Sequence, residues 1–316
     1  MLVVSESHGG DGHLHEGHDH AISSDADRRY LTAALLLLGA FMAGEVVVGL
    51  VTGSLALLSD AGHMLSDVGA IGIALWTMHL TRRPALGRWT WGWQRAEILS
   101  AAVNGITMLV VAGIVGIEAV QRLIDPPDVS AGPVVVVALV GVIVNIAVAW
   151  LVARANRSSL NVEGAYQHIL TDLYGFIGTL LAGIVILFTG WTRADAMASM
   201  VVCVLMLHAS WGLLRDAGLV LLEVAPAGTD LDEITRHLIE VPHVRGVHDL
   251  HVWSIGSNQP TLSAHVVVDA ECFLDGHAPQ LLDEIQRCLA SHFDVEHSSF
   301  QLEPPTHSSH EPAACR

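Results

Sequence analysis

Leu55-Ala-Leu-Leu-Ser-Asp-Ala-Gly-His63-Met-Leu-Ser-Asp67-Val-Gly-Ala-Ile-Gly-Ile-Ala-Leu-Trp-Thr-Met-His-Leu80 decides how the chain is built. It is long and apolar enough to cross ~30 Å of hydrocarbon, for which a helix needs about 20 residues. Yet it carries an imidazole and a carboxylate where lipid penalises them. Such a group costs several kcal/mol unless it is paired, ligated or wetted, so inside a span it points to function. The spacing of four between His63 and Asp67 sets both on one helical face, one turn apart.

The same length test finds further apolar stretches at about 30–51, 98–123, 133–153, 164–188 and 194–214. With 55–80 they predict a polytopic α-helical membrane domain of six transmembrane helices over residues 30–214. The composition agrees: 52% of the 316 residues are hydrophobic, 15% are charged and the mean hydropathy is +0.49. Soluble domains run nearer 25% charged. All 15 basic residues are arginines and the net charge is −17, which excludes a nucleic-acid binder built on clustered cations. Arg28, Arg29, Arg82, Arg83, Arg88, Arg95, Arg154, Arg157 and Arg215 border one membrane face, and only Arg122 and Arg193 the other. With an even number of spans, the positive-inside rule places both termini in the cytoplasm.

Residues 1–29 lack the basic start and apolar core of a secretory signal and read as a His-rich cytoplasmic tail without fixed structure. The segment 304–316 reads as a second such tail. Between them, residues 215–303 turn to a soluble pattern. Asp230 caps an amphipathic helix to Val241, strands follow at 246–255 and 261–269 around Gly256-Ser257-Asn258, and a helix at 278–293 precedes a strand at 298–303. The order is α-β-β-α-β. Cys203, Cys272, Cys288 and Cys315 include no C-x-x-C pair, so they form neither a disulfide framework nor a cysteine zinc site.

The fifth span repeats the motif of the second, as His168-Ile-Leu-Thr-Asp172. Two helices facing each other with H-x-x-x-D pairs make a four-ligand cage of two nitrogens and two oxygens. That set suits tetrahedral Zn²⁺ and serves an all-oxygen octahedral metal poorly. A single His-Asp pair also fits a neutralised contact between helices, the less favoured reading; its repetition at one spacing in two spans favours the cage further.

The stretch from Gly53 to Asp67, the second pair His168 and Asp172, and Val247-His-Asp-Leu-His-Val-Trp253 together closely resemble the cation diffusion facilitator family, over about 30–303. The resemblance is to its zinc-exporting branch, which includes bacterial cobalt-zinc-cadmium resistance proteins. It implies six membrane helices with a C-terminal cytosolic α+β domain, ferredoxin-like and akin to metallochaperones. It also implies a homodimer in the bacterial inner membrane that exchanges Zn²⁺ for protons by alternating access. On this resemblance the transport site is His63, Asp67, His168 and Asp172, with His63 favouring zinc over the wider metal range of relatives carrying Asp there. A regulatory Zn²⁺ site is carried over onto His248, His265, His297 and Glu303. His251 is left out because strand alternation turns it away from His248. Some relatives place another metal site between spans two and three, but residues 84–93 hold no ligand-type side chain. Arg95 and Glu223 stand where relatives lock the membrane and cytosolic parts together by charge.

His8, His13, His15, His18 and His20 make the N-terminal tail a candidate for metal capture. Asn104 and Asn145 read as amides stitching helices together, Glu45 and Asp195 as either helix contacts or part of a water path, His79 as interfacial and His208 as packed. Three rival functions share some of these features. A Cd²⁺ or Co²⁺ exporter would use the same cage, and a passive metal channel would lack proton coupling. An intramembrane zinc hydrolase needs an open coordination position and a general base, and H-E-x-x-H is absent. The chain contains no Lys, so it has no P-loop to power transport by nucleotide.

Overall fold

The computed structural model describes residues 23–52, 55–126, 131–155, 157, 159–257, 259–293, 295 and 297–307. Six long helices come first: α1 (Ser23–Thr52), α2 (Leu55–Thr81), α3 (Arg95–Ile124), α4 (Ala131–Val152), α5 (Leu160–Thr189) and α6 (Arg193–Leu221). Among the described residues, five segments are long and apolar enough to cross a membrane: Asp27–Val48, Arg95–Ile124, Val134–Val152, Leu160–Thr189 and Arg193–Leu221. The helix α2 runs for 27 residues, but its side chains from 55 to 63 lie outside those described.

The helices extend beyond the apolar stretches at their polar ends. α1 reaches back to Ser23, into the segment expected as tail; α5 begins at Leu160 and α6 continues to Leu221. Hydropathy registers only the part a bilayer would cover, whereas backbone hydrogen bonds carry a helix on until a cap or breaker stops it. For α5 those stops are explicit. Ser159 caps its start, and Gly190, in the left-handed region at φ 72°, closes its end with an N–H donated to the Ile186 carbonyl.

Packing makes α5 central: it touches α2, α3, α4 and α6, while α3 lies along α6 and α1 along both α2 and α4. Leu31 and Leu38 of α1, Met64 and Ile71 of α2, Val148 of α4 and Ile169 of α5 form the largest apolar cluster of the bundle. Small residues let α3 and α6 approach closely, as membrane helices do without a hydrophobic drive between them. A Cβ on Gly116 would come within 2.9 Å of the Cys203 sulfur. The outward faces carry exposed Leu36, Val47, Ile117, Trp150 and Phe188, a surface suited to lipid rather than water.

The C-terminal part contains α7 (Leu231–Glu240), β1 (Val244–Ser254), β2 (Pro260–Val268), α8 (Ala278–His292) and β3 (His297–Glu303), the expected order, plus a single 3₁₀ turn at Ala270–Phe273. Asp230 caps α7 by accepting from the Asp232 and Glu233 amides. The sheet is mixed, in order β1-β2-β3, with β1 antiparallel and β3 parallel to β2. Ile234 and Leu238 of α7 and Leu281, Ile285 and Leu289 of α8 bury Leu262, Ala264 and Val266 on one sheet face. Among the described residues, the other face, carrying His265, lacks that helical cover.

The two parts meet through polar contacts. Arg95 donates to the Glu223 carboxylate at 2.5 Å, pairing the residues singled out from the sequence. At the tip of the β1–β2 hairpin, Ser257 Oγ accepts the Leu160 amide at 2.9 Å, at the very start of α5.

Candidate metal centre

Asp67 of α2 and His168 of α5 are buried side by side, with His168 Nε2 2.5 Å from Asp67 Oδ1. Asp172, one turn along α5, brings Oδ2 to 4.0 Å from the same nitrogen. One ligand atom from each of the three lies within 4.8 Å of the others. Donors around a tetrahedral Zn²⁺ bound at about 2.0–2.2 Å stand roughly 3.3–3.6 Å apart, so small side-chain rotations bring these three to a common ion. His63 sits one helical turn before Asp67, about 6 Å along α2; its side chain lies outside the described residues, as do His8, His13, His15, His18 and His20.

Polar residues surround the trio. His168 Nδ1 faces Asn104 Oδ1 of α3 at 3.2 Å. Ser100, one turn earlier on α3, donates to Asn161 Oδ1 of α5 at 2.6 Å, and Asn161 Nδ2 donates to the Ala74 carbonyl of α2 at 3.0 Å. Asn104 thus touches a candidate ligand, where the sequence suggested only a link between helices. Asn145 bonds the Gly141 carbonyl of its own helix rather than a neighbour. Glu45 is buried in α1, and Asp195 accepts from Arg122 at 3.1 Å. His79 is exposed, and so is His208, contrary to the packed position expected for it. The residue sits on an outward face of α6.

A second trio lies on the open face of the sheet. His248 of β1 pairs across the strands with His265 of β2, their ring centroids 5.1 Å apart, and His248 Nε2 hydrogen-bonds the buried carboxylate of Glu303. His265 Nδ1 is 3.9 Å from the other Glu303 oxygen, and the three ligand atoms lie within 4.8 Å. His297, expected in this group, is not brought to it. It starts β3 opposite Thr261, whereas Glu303 ends the strand opposite Val267, about 20 Å along at a strand's rise per residue. Its ring instead meets Trp91 edge-on at 4.9 Å.

His251, too, lies elsewhere than strand alternation places it. The register slips between His248 and His251, and Asp249 takes φ 46°, so His251 faces Ser263, two residues from His265 on the same side of β2. The bulge returns His251 to the His248 face, although the three clustered ligand atoms do not include it. A residue the sequence reading passed over is His307. Past Pro304 and Pro305 the chain turns back, and His307 Nε2 comes within 3.9 Å of Glu303 Oε2. The cue was Glu303-Pro-Pro-Thr-His307, in which two prolines forbid a continuing strand and invite a turn.

Known proteins resemble the chain over most of its length. The cation efflux transmembrane domain matches residues 31–222, and the cation efflux cytoplasmic domain matches residues 226–305. The zinc transporter ZitB of Escherichia coli is 39% identical over 293 residues, 92% of each chain. The metal cation efflux system protein CzcD of Cupriavidus metallidurans is 38% identical, over 93% of this chain and 90% of its own. The cadmium, cobalt and zinc/H(+)-K(+) antiporter of Bacillus subtilis is 33% identical, over 95% and 96%. The chain therefore belongs to the cation efflux family, the cation diffusion facilitators, and is a membrane transporter of divalent cations rather than an enzyme.

Proposed function

We propose that this protein exports Zn²⁺ from the cytoplasm in exchange for protons by alternating access, through a cage of His63, Asp67, His168 and Asp172. The observation that carries the reading is the meeting of Asp67 with His168 and Asp172, from two helices bearing the same H-x-x-x-D motif. Four converging protein ligands leave no open position for a hydrolytic water, which disfavours an enzyme. Two imidazoles favour a borderline-soft metal, and relatives named for zinc point the same way.

Coupling follows from proton bookkeeping. An imidazole must be neutral to ligate, and its ordinary pKa of about 6.5 lies near cytosolic pH, so protons and Zn²⁺ compete for the same nitrogens. Facing the cytoplasm the cage loads metal; facing a more acidic exterior it takes protons and releases it. Moving a dication against 100 mV costs about 4.6 kcal/mol, while an entering proton returns about 2.3 plus about 1.4 per unit of pH difference. Two protons per Zn²⁺ offset the electrical cost in full, and any pH difference then drives export.

The arrangement we propose counts α2 as the sixth span and puts both termini in the cytoplasm of a bacterium, beneath its inner membrane. Support for this comes from the arginine asymmetry and the bacterial relatives. The C-terminal domain is read as a ferredoxin-like unit lacking its first strand, and it holds a regulatory Zn²⁺ through His248, His265 and Glu303 in a homodimer. The match to a cytoplasmic domain named for cation efflux supports it. Segments 1–22 and 308–316 flank this core, and the N-terminal histidines are read as capturing metal.

Zn²⁺ flux into proteoliposomes under an imposed pH gradient tests the central reading. The wild type is expected to follow the gradient and Asp172→Ala to abolish uptake. Flux that ignores pH would identify a channel, and flux surviving the substitution would return the two motifs to structural pairs.

A further inference from the structure

We infer that Asn104 of α3 is a positioning residue of the cage, fixing which nitrogen of His168 is presented to the metal. The inference rests on the transport-site reading above. An imidazole that ligates through one nitrogen holds its proton on the other, and that N–H needs an acceptor to fix the tautomer and the ring plane. For His168 the acceptor is Asn104 Oδ1, 3.2 Å from Nδ1. An amide oxygen only accepts, so Nδ1 carries hydrogen and Nε2 is turned toward Asp67 and Asp172. The ring is 4% exposed, which leaves little room for water to take over the acceptor's part.

The surroundings are shaped to admit this amide. Gly164 lies one turn before His168 on α5, and a Cβ there would stand 3.2 Å from Asn104 Nδ2 and 3.1 Å from Leu213 Cδ2. One turn before Asn104, Ser100 engages Asn161, which in turn holds the Ala74 carbonyl of α2. These bonds register α3 against α5 and α5 against the helix that carries Asp67. Through Asn104, α3 acts on the cage without supplying a ligand from either motif.

The test compares full-length wild type, Asn104→Leu, Asn104→Asp and His168→Ala for initial Zn²⁺ uptake into proteoliposomes as a function of Zn²⁺ concentration. Loss of an outer partner of a metal-bound His typically costs 10–100-fold in affinity, so Asn104→Leu is expected to raise the half-saturating concentration by about that factor, more than it lowers the maximal rate. Asn104→Asp retains an acceptor oxygen and is expected to return half-saturation close to wild type. An unchanged half-saturation in Asn104→Leu overturns the inference. So does equal impairment of the Leu and Asp variants, the result a purely packing role gives. If Asn104→Leu does not fold, Asn104→Ala is judged by the same criteria. His168→Ala separates the two levels: wild-type uptake there sinks the transport site itself, whereas a dead His168→Ala beside a normal Asn104→Leu sinks only the role of Asn104.

Discussion

At the level of single residues, the proposed membrane site depends on what stands next to the proposed ligands as well as on the ligands themselves. Gly164 shows this most directly. Gly164→Ala gains up to about 1 kcal/mol of helix propensity, offset by crowding against Asn104 and Leu213, so stability is expected to stay near wild type. Half-saturation for Zn²⁺ is expected to rise by a few-fold, less than in Asn104→Leu, because the amide is displaced rather than removed. Uptake kinetics and a thermal melt of the same sample check both halves of the prediction. A variant with unchanged half-saturation would show that Asn104 can shift without disturbing His168.

At the level of elements, the sequence revealed what periodicity and spacing can reveal. The apolar lengths, the two H-x-x-x-D pairs and the α-β-β-α-β order were legible because each is a local pattern. Positions that depend on irregular backbone were not. Strand alternation assumes a regular ladder, and the bulge at Asp249 breaks it, moving His251 to the face of His248. His307 reaches Glu303 because a turn follows two prolines, and Asn104 reaches His168 past Gly164, whose missing Cβ would stand 3.2 Å from the amide nitrogen. The pairing of Arg95 with Glu223 was anticipated by family resemblance, and its energy can be bounded. Both side chains are about half exposed, at 43% and 55%, so solvent screens them. A double-mutant cycle with Arg95→Gln and Glu223→Gln is expected to give a coupling of no more than about 1 kcal/mol in thermal stability. A coupling well above that would mean the pair is desolvated in the assembled protein.

For the whole molecule, charge opposes the proposed dimer, and a metal held on each copy would relieve the opposition. Residues 223–307 hold fourteen acidic side chains against three arginines, so two copies brought together repel. Glu303 is buried at 1% exposure with His248, His265 and His307 around it, and a Zn²⁺ held there adds two positive charges per copy at the least screened carboxylate. Anything that binds the dimer better than the monomer stabilises it by mass action. Full-length protein in detergent is therefore expected to dimerise more tightly as Zn²⁺ is added and to loosen with a chelator, measured by sedimentation. The zinc effect should shrink at ~1 M salt, where the screening length falls to about 3 Å and repulsion no longer needs relief. In the double variant His248→Ala, His265→Ala the dependence on Zn²⁺ should vanish while the dependence on salt persists, since the acidic surface is intact. Equal tightening by Zn²⁺ in that variant would place the effective metal elsewhere, and dimerisation indifferent to both metal and salt would mean that the contact between copies is apolar and made in the membrane.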